Sequence, residues 1–369
     1  MKVLCLLDIN DYRNRNSFPI DFVNSFKGFE QVAAIEYGIK QLLADVPRWD
    51  IIHIHWPEDL MKGKILSQDT IDKLNEKLKT WRKHARIICT VHDHESYYRN
   101  SKLITALYNC VFTNCDGFIH MGEASVEIFN KAFKNRYASI PFAIIPHGNY
   151  SSMGKLSNKA RAREELNIKP DAKVILVIGK LRHKEEISLM LNSFKTIKTQ
   201  GFQLFFLGSF QTTRSFIKDL NFKAFFKSLF EKMQRRLLFY NAKNVFTKIG
   251  ANDNSVVAKY LSAADVLFIP RKKILNSGNV PLGFTFAKVV VGPAWGNVGE
   301  ILTRYNNQTF QINDTFDQIG VALVNSMALV NTDLGEKNKE MALSTWDWKR
   351  IAHLHIDFYI SLIGFKTTD

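Results

Sequence analysis

"KVILVIGKLRHKEEISLMLNSFKTIK", residues 173–198, is the stretch on which the fold turns. Its opening run, Val174 to Ile178, is apolar at every position and lacks the alternation of a strand with one wet face. Such a run suits a strand buried on both sides. Gly179 closes it, and from Glu185 apolar residues return at i, i+3 and i+4 spacing, the mark of an amphipathic helix. Strand, glycine turn and helix in that order make one β–α unit of a parallel sheet. Arg182 and Lys184 are then expected at the strand's C-terminal end, where open α/β sheets bind ligands. A guanidinium and an ammonium there can neutralise a diphosphate, the first in fork geometry and the second as a point charge. Cations at a helix start oppose the helix dipole, so their presence asks for a reason of this kind.

The same unit recurs along the chain. Strand-like runs lie at 2–7, 50–55, 86–91, 117–120 and 142–145, and again at 203–208, 244–249, 265–270 and 288–292. Between them, segments such as 29–46 (FEQVAAIEYGIKQLLADV) carry helical spacing. The expectation is an α/β protein. Residues 146–173 are rich in Gly, Ser, Asn and Pro and hold no strand run, which places a domain boundary near 150–165. About five strands fall on each side of it, which favours two doubly wound Rossmann-like domains over one eight-stranded barrel. The expected division is 1–155, 156–345 and a C-terminal helix in 346–369.

Apolar residues make up 46% of the 369-residue chain and charged residues 23%, an ordinary globular balance with material for two cores. Four cysteines show no C-x-x-C spacing and read as buried thiols of a reducing compartment. The apolar run in "MKVLCLLDIND" is too short for a signal-peptide core, and no apolar stretch is long enough to span a bilayer. A cytoplasmic protein is expected. The net charge of +15 implies an anionic partner. Residues 211–244 carry eight Lys/Arg against two acids, with Phe222, Phe226, Leu229, Met233 and Leu237 at helical spacing. A basic amphipathic helix of this kind can rest on an anionic membrane surface, the inner face of a cell membrane for instance, or pack on its own domain.

Two further elements bear on chemistry. Asn276-Ser277-Gly278-Asn279 is a small polar turn, with Pro281 suited to a helix's first turn, so free backbone N–H groups there form an anion site. A second turn, 292–297, leads through Asn297 to Glu300, a carboxylate able to accept from sugar or ribose hydroxyls or to complement a helix dipole. The paired histidines His53/His55 and His92/His94 stand at the ends of the second and third runs. They suit either metal ligation or the wall of an organic pocket. A barrel metallohydrolase would carry its H-x-H on the first strand, which here ends in Asp8. Residues i and i+2 of a strand share a face, and an imidazole, or Asp93 between the second pair, can take a proton from a hydroxyl.

The G-x-L-R-x-K turn (Gly179, Leu181, Arg182, Lys184), the N-S-G turn (276–278) and G-P-x-x-G-N-x-x-E (292–300) together resemble the nucleotide-binding half of GT-B-fold glycosyltransferases. The likeness is to bacterial family 4-like enzymes of exopolysaccharide and lipid-linked glycan synthesis. H-x-H-W-P (53–57), T-V-H-D-H (90–94) and I-P-H-G-N-Y (145–150) are similar to that family's acceptor-side domain, and "TWDWKRIAHLHIDFYISLI" to its last helix, which crosses back to the first domain. The resemblance implies that Gly179, Arg182, Lys184, Asn276, Ser277, Gly278 and Asn279 hold the donor diphosphate, and that Asn297 and Glu300 meet the nucleoside. It also implies that His53, His55 and His147 face the acceptor. Many members carry two glutamates eight apart, where this chain has Ile274 and Leu282.

The expected activity is transfer of a sugar from a UDP- or GDP-linked donor to a hydroxyl of a glycan or lipid-linked acceptor. His92, Asp93 and His94 are the candidate catalytic residues. No D-x-D pair occurs, so neither a divalent metal nor a cofactor is expected beside the nucleotide-sugar co-substrate. A nucleic-acid-binding protein would also explain the charge but gives the phosphate turns no use. A nucleotide-sugar epimerase of the same fold and a metal-dependent barrel hydrolase are the rival enzymes.

Overall fold

The computed structural model describes residues 1–7, 17–43, 46–61, 64–93, 102–154, 157–210, 243–250 and 252–364. Within them two sheets of six parallel strands are formed. The first has the order β2-β1-β3-β4-β5-β6, from β1 (Lys2–Leu6), β2 (Ala34–Tyr37), β3 (Ile51–Ile54), β4 (Arg86–Thr90), β5 (Gly117–His120) and β6 (Phe142–Ile144). The second has the order β12-β11-β10-β7-β8-β9, from β7 (Lys173–Leu181), β8 (Phe202–Phe210), β9 (Val245–Ile249), β10 (Val266–Phe268), β11 (Val289–Pro293) and β12 (Gln308–Phe310). The unalternating apolar runs become strands, and those inside each sheet, such as β3 and β10, are covered on both faces, as their lack of a polar side requires.

In the first unit, Leu4, Ile52, Ile87 and Phe118 face one core with Leu78, Trp81 and Phe112 of the helices Gln68–Arg82 and Lys102–Thr113. Val3, Ile51, Ile88 and Ile119 face the other with Phe22 of Phe18–Ser25 and with Ile351, Ile356 and Tyr359 of the last helix, Trp348–Gly364. The last helix thus packs on the first sheet, although the second sheet precedes it in the chain. Trp348 Nε1 donates to the Asn149 carbonyl at 2.8 Å, and Arg86 Nε to the Leu362 carbonyl at 3.1 Å. Gly117 is needed for this approach, because a Cβ there would lie 2.7 Å from a Leu362 methyl.

In the second unit, alternate residues of β7 do the same: Val174 and Leu176 face one core, Ile175 and Val177 the other. At its N-terminal edge Asp265 receives the Val174 amide at 2.7 Å and the Arg163 guanidinium at 2.8 Å, and it also pairs with Lys159.

One expectation fails. The spacing of 29–46 predicts a helix, yet Ala34–Tyr37 is an edge strand paired with Lys2 to Cys5, followed by the short 3-10 turn Ile39–Leu43. Gly38, at φ +118°, breaks the segment where a helix would have to continue. Pairing with β1 outweighs the helical spacing of 29–46. The edge strands β2 and β12, of four and three residues, carry too little apolar sequence to stand out and raise five strands per sheet to six.

Candidate active site

In the second sheet the chain runs from β7 outward through β8 and β9, then returns to place β10 on the other side of β7. The C-terminal ends of β7 and β10 therefore flank a crevice, the switch point where doubly wound sheets bind ligands. A cavity of about 730 Å³ opens there. Six basic side chains line it: Arg182, His183 and Lys184 after β7, and Arg271, Lys272 and Lys273 after β10. Ile274, Leu275, Trp295, Ile312 and Phe316 give it an apolar wall, and Asp93 of the first unit completes it.

Glu186 organises the two basic turns. Its Oε2 accepts the Arg182 amide at 2.6 Å, and its Oε1 pairs with Arg271 Nε at 3.3 Å, while Arg271 Nη2 donates to the Lys180 carbonyl at 2.6 Å. Burial and the neighbouring Arg182 charge lower the Lys180 pKa. Lys184 opens the helix Lys184–Ile197, so its charge adds to the helix-terminal positive potential. Mutual repulsion of this kind is relieved by an anion.

The N-S-G turn lies beside this cavity. Ser277 and Asn276, with His147 and Asn297, border a second, much smaller space of about 20 Å³. A Cβ on Gly278 would lie 2.6 Å from the Tyr150 hydroxyl, so any larger residue there would push that ring aside. The Asn279 side chain donates to the Ile178 carbonyl at 2.8 Å and ties the turn to β7. Gly179 sits within β7 at φ +108°, against Gly208 of β8.

Several expected site residues join the two units instead of lining the cavity. Asn276 Nδ2 donates to the His92 carbonyl at 2.9 Å, and Asn276 Oδ1 accepts from Asn297 Nδ2 at 2.7 Å. Asn297 Oδ1 accepts the Ser125 amide at 3.0 Å, and Glu300 Oε2 the Ala124 amide at 2.9 Å. Both acceptors thus satisfy orphan N–H groups at the start of the first-unit helix Glu123–Ala132. Leu275 is fully buried within the first unit's core, with Trp295 packed beside it.

The histidines occupy the first sheet's own switch point, between β1 and β3. His53 is fully enclosed, its Nδ1 2.7 Å from the Tyr359 hydroxyl and its Nε2 2.7 Å from that of Thr90. His55, 1% exposed, shares a hydrogen bond of 3.1 Å from Nδ1 to His92 Nε2. His92 stacks on Trp56 at 4.5 Å, and burial pushes its pKa down to about 3, helped by His147. Burial likewise holds His147 near 4, and its Nδ1 donates to the Gly148 carbonyl at 2.6 Å, leaving Nε2 as an acceptor. Asp93 reaches the large cavity; His94 lies outside the described residues, as does 211–242 of the basic segment.

Arg271, Lys272 and Lys273 match none of the motifs, although three cations directly after a buried strand are a signal of the same kind as Arg182 and Lys184. Glu58, in the turn Pro57–Met61 after β3, carries no motif either. The Tyr108 hydroxyl donates to Glu58 Oε2 at 2.7 Å. Burial raises the Glu58 pKa, and the Arg182 charge from the second unit partly offsets this. Burial pushes the Tyr108 hydroxyl's pKa upward, and the charges of Glu58 and Asp93 add to it, so two carboxylates gather around this hydroxyl. Among the described residues, no group of three or more His, Cys, Asp or Glu is placed to hold a metal ion, and no helix is long and apolar enough to cross a membrane.

No family model and no curated protein matches the sequence. Solved structures do match. The Anabaena protein HepE in complex with UDP-glucose superposes with a TM-score of 0.69 at 13% identity, over 98% of this chain and 99% of that one. A glycosyltransferase from Rickettsia africae gives 0.65 at 11% identity over 99% of both chains. Sucrose-phosphate synthase from Thermosynechococcus elongatus gives 0.65 at 16% identity, covering 86% of this chain and 74% of its own. With strand order, cavity placement and full-length superposition in agreement, the chain has the GT-B fold of two Rossmann-like domains.

Proposed function

We propose that the protein is a GT-B glycosyltransferase of the bacterial family 4-like kind. It moves a hexose from a nucleotide diphosphate sugar to a hydroxyl of a glycan or lipid-linked acceptor in polysaccharide synthesis. One observation carries this reading: six basic side chains at the second sheet's switch point face Asp93 of the other unit across a single cavity. As the glycosidic bond breaks, negative charge develops on the departing diphosphate. Arg182 and Lys184, with the 271–273 run, are preorganised to stabilise it. The apolar wall at Ile312 and Phe316 gives a nucleobase a surface to cover. Asp93, with His92 and His94 beside it, is the base for the acceptor hydroxyl. Because HepE binds UDP-glucose, a uridine diphosphate sugar is the first donor to try.

For Glu300 to meet a ribose, Oε1, now paired with the exposed Arg304, must accept the hydroxyl, or Oε2 must give up the Ala124 amide. Acceptor contact falls to His147 and Trp56 more readily than to His53, which has no exposed surface. The basic segment 211–244 fits peripheral contact with an anionic membrane, where a lipid-linked acceptor would be met.

Radiolabelled UDP- and GDP-sugars incubated with the protein and a membrane lipid extract test the reading. Label moving to lipid or glycan is the expected result. Isomerised free nucleotide sugar would instead mark an epimerase, and absence of both would overturn the proposal.

A further inference from the structure

His55 is an unusual occupant of its site. It is 1% exposed, stacked on His53 at 4.2 Å and edged by Phe22 at 4.6 Å and Phe18 at 5.8 Å. Its Nε2 is buried without a hydrogen-bond partner. A polar ring half-satisfied in an aromatic box is costly, and an apolar ring of similar size would fill the box with no nitrogen left unmet. What an apolar ring could not supply is the bond from Nδ1 to His92 Nε2, 3.1 Å long.

His92 is anchored from every other side. Its ring lies on Trp56, Phe18 meets it edge-on at 5.7 Å, and its carbonyl accepts from Asn276 of the second unit. With Nε2 taken by His55, only Nδ1 remains, and no described residue bonds it.

We propose that His55 is a positioning residue that acts through His92: it occupies Nε2 of that ring, fixes its orientation and tautomer, and leaves Nδ1 as the nitrogen His92 presents to an acceptor hydroxyl. The naming of a hydroxyl rests on the glycosyl-transfer reading; the geometry of the two rings does not. Burial keeps both rings neutral near pH 7, so one proton is shared across the contact and each ring's tautomer depends on the other. The other titratable groups around the pair are His53, His147 and His355, all likewise lowered by burial, and Asp93 next in the chain.

The test uses the full chain without ligand, labelled with 15N-histidine, and reads ring tautomers from long-range proton–nitrogen spectra at pH 7. His92→Gln identifies the His92 signals. His92 is expected in one tautomer in the wild type. It should stay so in His55→Asn, whose amide reaches the place of Nδ1, and become a mixture in His55→Phe. His55→Phe is also expected to melt within about 3 °C of the wild type, since the box is already aromatic. Unchanged His92 tautomers in His55→Phe would overturn the proposal. So would a mixture in His55→Asn, and so would a fall in melting temperature of about 8 °C or more in His55→Phe, because that marks a purely structural residue. Titration with UDP separates the two readings: failure of the wild type to bind it counts against the donor site and leaves the histidine pair standing.

Discussion

Replacing Arg182 with Ala removes one of six basic side chains around the cavity. A charge-assisted hydrogen bond to a phosphate contributes about 1.5–3 kcal/mol, or roughly 10- to 150-fold in Kd. The lower part of that range applies, because Lys184, Arg271, Lys272 and Lys273 remain and the cavity is open to salt. Isothermal titration with UDP should therefore show binding weakened by about 20-fold, with a shallower dependence on ionic strength. The substitution has a second effect inside the protein. Arg182 is the positive charge that favours ionised Glu58, whose carboxyl burial already pushes toward its neutral form. Without Arg182, Glu58 keeps a backbone hydrogen bond and the Tyr108 hydroxyl but no facing positive charge, so the single variant should lose stability that Glu58→Gln partly restores. A double-mutant cycle on thermal unfolding should give a coupling of about 1 kcal/mol, typical of neighbouring groups. UDP affinity within twofold of the wild type would refute the diphosphate assignment. Strictly additive stability effects would refute the link across the cleft.

Three other outcomes follow from the same geometry. Gly208→Ala places a Cβ 1.8 Å from the Gly179 carbonyl oxygen, so β7 and β8 must separate locally; a loss of about 3 kcal/mol in urea unfolding is expected, and a neutral result would mean the strands are not so paired. Asp265→Ala leaves the buried Arg163 guanidinium without its carboxylate and should cost about 3–5 kcal/mol in the same assay. The pH dependence has a definite sign. His92 is held at about 3, and His120, His147 and His355 at about 4, all below the ordinary 6.5. The unfolded chain therefore binds more protons in that window, and stability is full above about pH 7. It falls as pH drops from 6.5 toward 4, by up to about 1.4 kcal/mol per pH unit for each histidine. A flat melting temperature between pH 7 and 5 would contradict it.

The fold was legible because parallel strands buried on both faces write themselves as unbroken apolar runs. Each of the ten runs found in the sequence is a strand. The two strands missed, β2 (AIEY) and β12 (QTF), are short edge strands whose sequences mix apolar and polar residues, so no unbroken apolar run marks them. The placement of Arg182 and Lys184 at the cavity was readable because their position after a buried strand fixes where they go. The contacts of Asn297 and Glu300 with the first unit were not, since a turn motif does not reveal that the helix at 123–132 comes to meet it. Glu58 escaped for the same reason: one acid in a short turn looks solvated until Tyr108 and Arg182 arrive from elsewhere in the chain.

Leu275 has a consequence for recombining such proteins. It belongs by sequence to the loop that lines the large cavity, yet its side chain is seated in the other domain's interior. The second domain is therefore not a portable module. Grafted onto a foreign partner, it would need a matching socket for that leucine and for Trp295, or the loop carrying three of the cavity's cations would lose its footing. Chimeras cut at the linker should succeed only when the recipient's helix-and-strand interior has been recarved to receive this plug.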